Sequence, residues 1–160
     1  RYIALNELRT LFIERRVASK WQWSGSLIGG NATSKVSAAV EIRVPQGTLN
    51  FYIERAQMRQ NFIGFLKDKL GKWEFVYKKQ NGLKLRNFPE NPTTVILYVS
   101  TLSMAQVIHR EIVIDSFPFP VWFLVEEELY KKGLEYSFYR ADKENLKRLH
   151  VGFLAPTNEN

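Results

Sequence analysis

Residues 21–44 read WQWSGSLIGGNATSKVSAAVEIRV. From Lys35 onward, Val36, Ala38, Val40, Ile42 and Val44 alternate with Ser37, Ala39, Glu41 and Arg43. That period of two is the pattern of a strand with one buried and one exposed face. The earlier part crowds Gly25, Ser26, Gly29 and Gly30 around Leu27 and Ile28. Small residues let a second backbone come close, so this part predicts a packing helix over about residues 21–31. The stretch thus predicts a helix contact feeding directly into an amphipathic strand.

Working outward, Leu5, Leu8, Leu11 and Phe12 give residues 2–16 a helical spacing, with Arg15 and Arg16 at the cation-favouring end. After Val44, Pro45-Gln46-Gly47 supplies turn chemistry and residues 48–54 a second strand, with Leu49, Phe51 and Ile53 on one side. Phe62, Ile63, Leu66 and Leu70 mark a helix over 56–70, closed by Gly71. Residues 73–79 and 83–87 read as strands joined at Asn81-Gly82, a strong hairpin signal. A strand over 93–99 and a helix over 100–112 follow, and Pro118 and Pro120 break the chain. Residues 121–132 and 142–151 read as closing helices, the second with Asp142 as N-cap.

The chain has 160 residues, 45% hydrophobic and 14% aromatic, which suits one folded domain with its own core. There is no cysteine, so disulfides and thiolate metal sites are excluded. No apolar run approaches the ~18 residues of a membrane span, and no membrane partner is expected. The chain opens on Arg1 rather than Met, so a processed terminus is expected and a targeting peptide is not visible. The net charge of +7 is uneven: residues 1–80 hold 14 Lys and Arg against 6 Asp and Glu, residues 81–160 hold 9 against 10. A basic half of this kind points to a polyanion, most often nucleic acid.

The order helix, strand, strand, helix, strand, strand, helix resembles a single-motif member of the LAGLIDADG family of homing endonucleases and intron maturases. SGSLIGGNA, residues 24–32, would be the signature helix, with Gly25 and Ser26 at the packing positions and Leu27 and Ile28 as the aliphatic pair. AAVEIRV, LNFYIE, NFIGFLKDKLGKWEFVYKK and NGLKLR fall where the family places its strands, helix and hairpin. The resemblance covers about residues 20–132. It implies an α+β fold, an αββαββα domain over 1–160 with a curved antiparallel sheet within 35–99 and extra C-terminal helices within 100–151. It also implies homodimerisation through the motif helix as one assembly. In active members the motif helix ends on an acid that holds a divalent metal. Asn31 stands there, and a neutral amide is a poor ligand for Mg²⁺. No metal, cofactor or catalytic residue is expected.

His109 and His150 lie 41 residues apart with no ligand spacing. Glu126, Glu127 and Glu128 are consecutive, so on a helix they point apart as a solvated face. If Val40, Ile42, Phe51 and Ile53 face the core, parity leaves Glu41, Arg43, Asn50, Tyr52 and Glu54 on the open face, with Lys84 and Arg86 beside them. Lys35, Arg43, Asn50, Tyr52, Lys78, Lys79, Lys84 and Arg86 are therefore the expected nucleic-acid contacts, cations for phosphates and Asn, Tyr and Arg for bases. The expected function is an inactive nucleic-acid-binding protein, with structured RNA ahead of duplex DNA and protein partners in a ribonucleoprotein. The resemblance adds an organellar, mitochondrial setting. Two alternatives stand beside it: an active metal-dependent DNA endonuclease, and a structural subunit of an assembly.

Overall fold

The computed structural model describes residues 2–15, 18–31, 34–57 and 59–156. In chain order the elements are α1 (Tyr2–Glu14), β1 (Ala18–Ser26), β2 (Lys35–Val44), β3 (Gly47–Arg55), α2 (Phe62–Gln80), β4 (Thr94–Val99), α3 (Leu102–Glu111), β5 (Val121–Val125), α4 (Leu129–Lys132), β6 (Phe138–Asp142) and β7 (Asn145–Arg148). One 7-stranded sheet runs β1 to β7 in that same order. β3–β4 and β4–β5 are parallel, and the other four pairings are antiparallel.

The parallel pairs dictate the layers. Each needs a crossover helix, α2 from β3 to β4 and α3 from β4 to β5. Crossovers share one hand, and two steps in one direction across the sheet put both helices on one face. Leu66, Leu70, Trp73 and Val76 of α2, with Met104, Ala105 and Ile108 of α3, accordingly pack on Ala39, Tyr52, Val95, Leu97, Phe123 and Val125. The opposite face carries Ala38, Val40, Ile42, Phe51, Ile53, Ile96 and Tyr98, covered by Leu5, Leu8 and Phe12 of α1 and by Leu129, Leu134 and Leu154.

The α+β class, the strand over 35–44, its two-residue turn at Pro45-Gln46, and the elements over 94–99 and 102–111 agree with the sequence reading. Arg16 and Ala32 lie outside the described residues. The expected motif helix over 21–31 is instead strand β1 and the turn after it. Gln22 pairs with Ala39 and Gly25 with Val36, and Gly29 turns the chain at φ 81. Gly25 and Ser26 are thus strand residues. Leu27 is buried in the core, and Ile28 sits half-exposed in the turn.

The helix expected to stop at Gly71 runs on to Gln80. Leu66, Leu70, Trp73 and Val76 keep the helical spacing of buried positions across the glycine. The supposed hairpin residue Asn81 is the left-handed C-cap (φ 54), its N–H donating to the Tyr77 carbonyl. Residues 83–88 form a loop in which Leu85 and Phe88 exchange backbone hydrogen bonds. The closing helices are also replaced. Val121–Val125, wholly apolar, is a buried strand parallel to β4 and antiparallel to β6, covered on both faces. Only residues 126–132 coil, as a 3-10 turn and the four-residue α4. Asp142 pairs with Asn145 at the tip of the β6–β7 hairpin, where Lys143 takes φ 59. The αββαββα order and wholly antiparallel sheet expected from the LAGLIDADG resemblance are therefore not the ones found.

Candidate nucleic-acid interface

A sheet covered on both sides cannot be a saddle. Tyr52 is fully buried and donates its hydroxyl to the Leu83 carbonyl at 2.7 Å; burial pushes its pKa up. Asn50 is buried too, its amide donating to the carbonyls of Glu90 and Asn91. Both are structural, and neither can reach a base. Of the other expected contacts, Lys35 is exposed at the start of β2 and Arg43 near its far end. Lys78 and Lys79 are exposed in the last turn of α2, and Lys84 and Arg86 in the loop after it.

What the α2 face of the sheet does hold is a buried carboxylate. Glu54, on β3, lies opposite Ser37 of β2, because Ala38 pairs with Ile53. One oxygen accepts the Ser37 hydroxyl at 2.7 Å and the Ser37 N–H at 3.2 Å; the other meets Lys69 of α2 at 2.7 Å. Three acceptor positions are thereby used, and the charge is balanced by one cation. Among the described residues no group of three or more His, Cys, Asp or Glu is placed to hold a metal ion. The cluster anchors α2 on the sheet and sets the floor of the space beside it.

That space is a cleft. A first cavity beside Glu54 and Lys69 shares Arg59, Phe65 and Lys69 with a second, lined by Ser24, Lys35 and Ser37. The second shares Asp68 and Lys72 with a third of roughly 720 Å³, between α2 and the β1–β2 turn at Gly29, Gly30 and Asn31. With these shared walls the three lie side by side along α2, from Phe65 to Lys79, about 21 Å of helix. Six cations line it (Lys35, Arg59, Lys67, Lys69, Lys72 and Lys79) against two carboxylates, Glu54 and Asp68. Arg55 borders the first cavity, but its guanidinium lies over Tyr98 on the other face of the sheet and pairs with Glu126. Both carboxylates already have partners within the protein, Lys69 and Lys72. Phe65 and Phe75 stand 58% and 70% exposed along it, and the Arg59 guanidinium covers the Phe65 ring at 4.0 Å.

The β1–β2 turn is held so that it forms the opposite wall. Ile28 N–H donates to the Lys84 carbonyl at 2.8 Å and Leu27 N–H to Ser34 at 2.8 Å. The Asn31 side chain accepts the Ser34 hydroxyl, so the residue at the metal position of the resemblance does turn chemistry here. Gly29, at φ 81, abuts the end of the Gln80 side chain, so any other residue there would be strained and would have to displace that amide.

Lys35 and Lys79 are the expected contacts that line this cleft. Arg59, Phe65, Lys67, Lys69, Lys72 and Phe75 were missed. Two of them had a signal in the sequence: Lys67 and Phe75 recur with Gly71 and Lys79 at four-residue spacing, one stripe of a helix that continues through Gly71. No family model matches the chain, and no curated protein or solved structure matches it.

Proposed function

We propose that this protein binds nucleic acid along the α2 cleft without cleaving it, with structured RNA ahead of duplex DNA. The observation that carries the reading is the lining of the cleft: six cations, two of them paired with the two carboxylates, and two exposed phenylalanine rings. Lysines and arginines in a row neutralise successive phosphates and release counterions. Exposed rings suit unpaired bases, which structured RNA offers in loops and bulges. Glu54, the buried acid of the site, is committed to Ser37 and Lys69, which favours a structural over a metal-binding role.

The test is binding of a structured RNA and a duplex DNA across a salt series, with Mg²⁺ present and products resolved on a denaturing gel. Tight, salt-sensitive RNA binding with intact nucleic acid is expected. Lys67→Ala, Lys72→Ala and Lys79→Ala should each lower the slope of log K against log salt by about 0.7 to 0.9. Cut DNA would replace this reading with the endonuclease one. Binding of neither nucleic acid would leave a role in protein assembly.

A further inference from the structure

Gly71 sits in the interior of α2, exposed, and a Cβ added there would meet nothing within 4 Å. Its backbone is not left-handed, so the fold does not require glycine at this position. The other glycine of the helix is different: a Cβ at Gly64 would lie 2.7 Å from the Asn61 side chain. Glycine in an exposed helix interior weakens the helix relative to alanine. What it offers in return is access, because another backbone can come against the helix where the Cβ is missing. Lys67 and Phe75 flank Gly71 one turn to either side, and Lys72 follows it, all in the roughly 720 Å³ groove.

We infer, resting on the nucleic-acid reading, that the occupant of this groove is a single strand whose sugar–phosphate backbone crosses α2 at Gly71. Lys67 then neutralises a phosphate on one side, Lys72 exchanges its exposed pairing with Asp68 for a phosphate on the other, and an unpaired base stacks on Phe75. A duplex keeps its base faces inside its own stack and offers Phe75 nothing to stack on; a single strand does. Charge complementarity selects the polyanion, the ring selects unpaired bases, and the missing Cβ marks the crossing point.

The experiment uses the full chain and three fluorescent probes: an oligouridylate, an oligothymidylate of equal length and a blunt RNA duplex. Gly71→Ala should melt at a higher temperature than the parent protein yet bind the oligouridylate about tenfold more weakly. Phe75→Ala should leave the melting temperature unchanged and weaken single-strand binding by roughly five- to a hundredfold. The two single-stranded probes tell RNA from DNA, and both should exceed the duplex. If Lys67→Ala and Lys79→Ala lower the salt slope while Gly71→Ala binds as well as the parent, the crossing at Gly71 is overturned and the nucleic-acid site stands. If the duplex is preferred and Phe75→Ala has no effect, the single-strand occupant is overturned. If the lysine variants change nothing, the site itself falls, and this inference with it.

Discussion

At the residue scale, the buried polar side chains explain more of this protein than the apolar ones. Asn50, Tyr52 and Glu54 all occupy the α2 face of β3, and each sits there because a named partner completes its hydrogen bonds. Tyr52→Phe would leave the Leu83 carbonyl without its donor, and a loss of about 1–2 kcal/mol in chemical unfolding is expected. Tyr139 offers a pH test. It is buried and its hydroxyl donates to Glu128 at 2.7 Å, while Arg148 also pairs with that carboxylate at 3.0 Å. Burial first, then the bond to Glu128 and its negative charge, push the tyrosine up to about 12 from the ordinary 10.0. The folded state therefore holds this proton more tightly than the unfolded state. The contribution is full below about pH 10, where both states are protonated, and is lost as pH rises from there through about 12. Melting temperatures across that window should fall less steeply for Tyr139→Phe than for the parent, which retains this titrating hydroxyl.

At the element scale, α2 is the helix on which both the core and the cleft depend. One side buries Leu66, Leu70, Trp73 and Val76; the other presents Lys67, Phe75 and Lys79. Its docking is fixed by Lys69 against Glu54. Lys69→Met strands a carboxylate that is 6% exposed, and a cost of about 3–5 kcal/mol is expected. Adding Glu54→Gln should recover part of that loss, measured as a double-mutant cycle by urea unfolding. How far α2 was legible from sequence turns on two residues. Gly71 reads locally as a stop and Asn81-Gly82 as a hairpin, but the spacing of Leu66, Leu70, Trp73 and Val76 continues the helix through the first and onto the second. Tertiary burial of that side overrides the glycine. β2 was legible as a strand because its alternation is regular, but its open face was not open: Ser37 and Ala39 are small enough for the crossover layer to close over them. β1 reads as a helix because its glycines suggest close packing, but the partner they pack against is the neighbouring strand β2. Val121–Val125 carried no alternation at all, since both of its faces are covered. Of the cleft, the lysines were visible one by one, and their alignment required knowing that one helix carries them.

At the scale of the whole molecule, the sheet has a protected centre and two modest rims. β3, β4 and β5 lie between helices on one side and α1 with the C-terminal segments on the other, while β1 and β7 are edges. Amide hydrogen exchange should accordingly be slowest in β3 and β4 and fastest among the strands in β7, whose Asn145, Lys147 and Arg148 are exposed. The cleft lies on the crossover side, bounded by α2 and the hairpin of β1 and β2, so its walls come from residues 24–79. The strand order carries one more consequence, for biosynthesis. Because each strand lies beside its predecessor in the chain, a polypeptide leaving the ribosome finds the partner of every new strand already made. The sheet can be laid down one edge at a time, as the chain emerges N-terminus first. No strand waits for a later one to be inserted between it and its neighbour, and the growing rim is the only unpaired edge that moves.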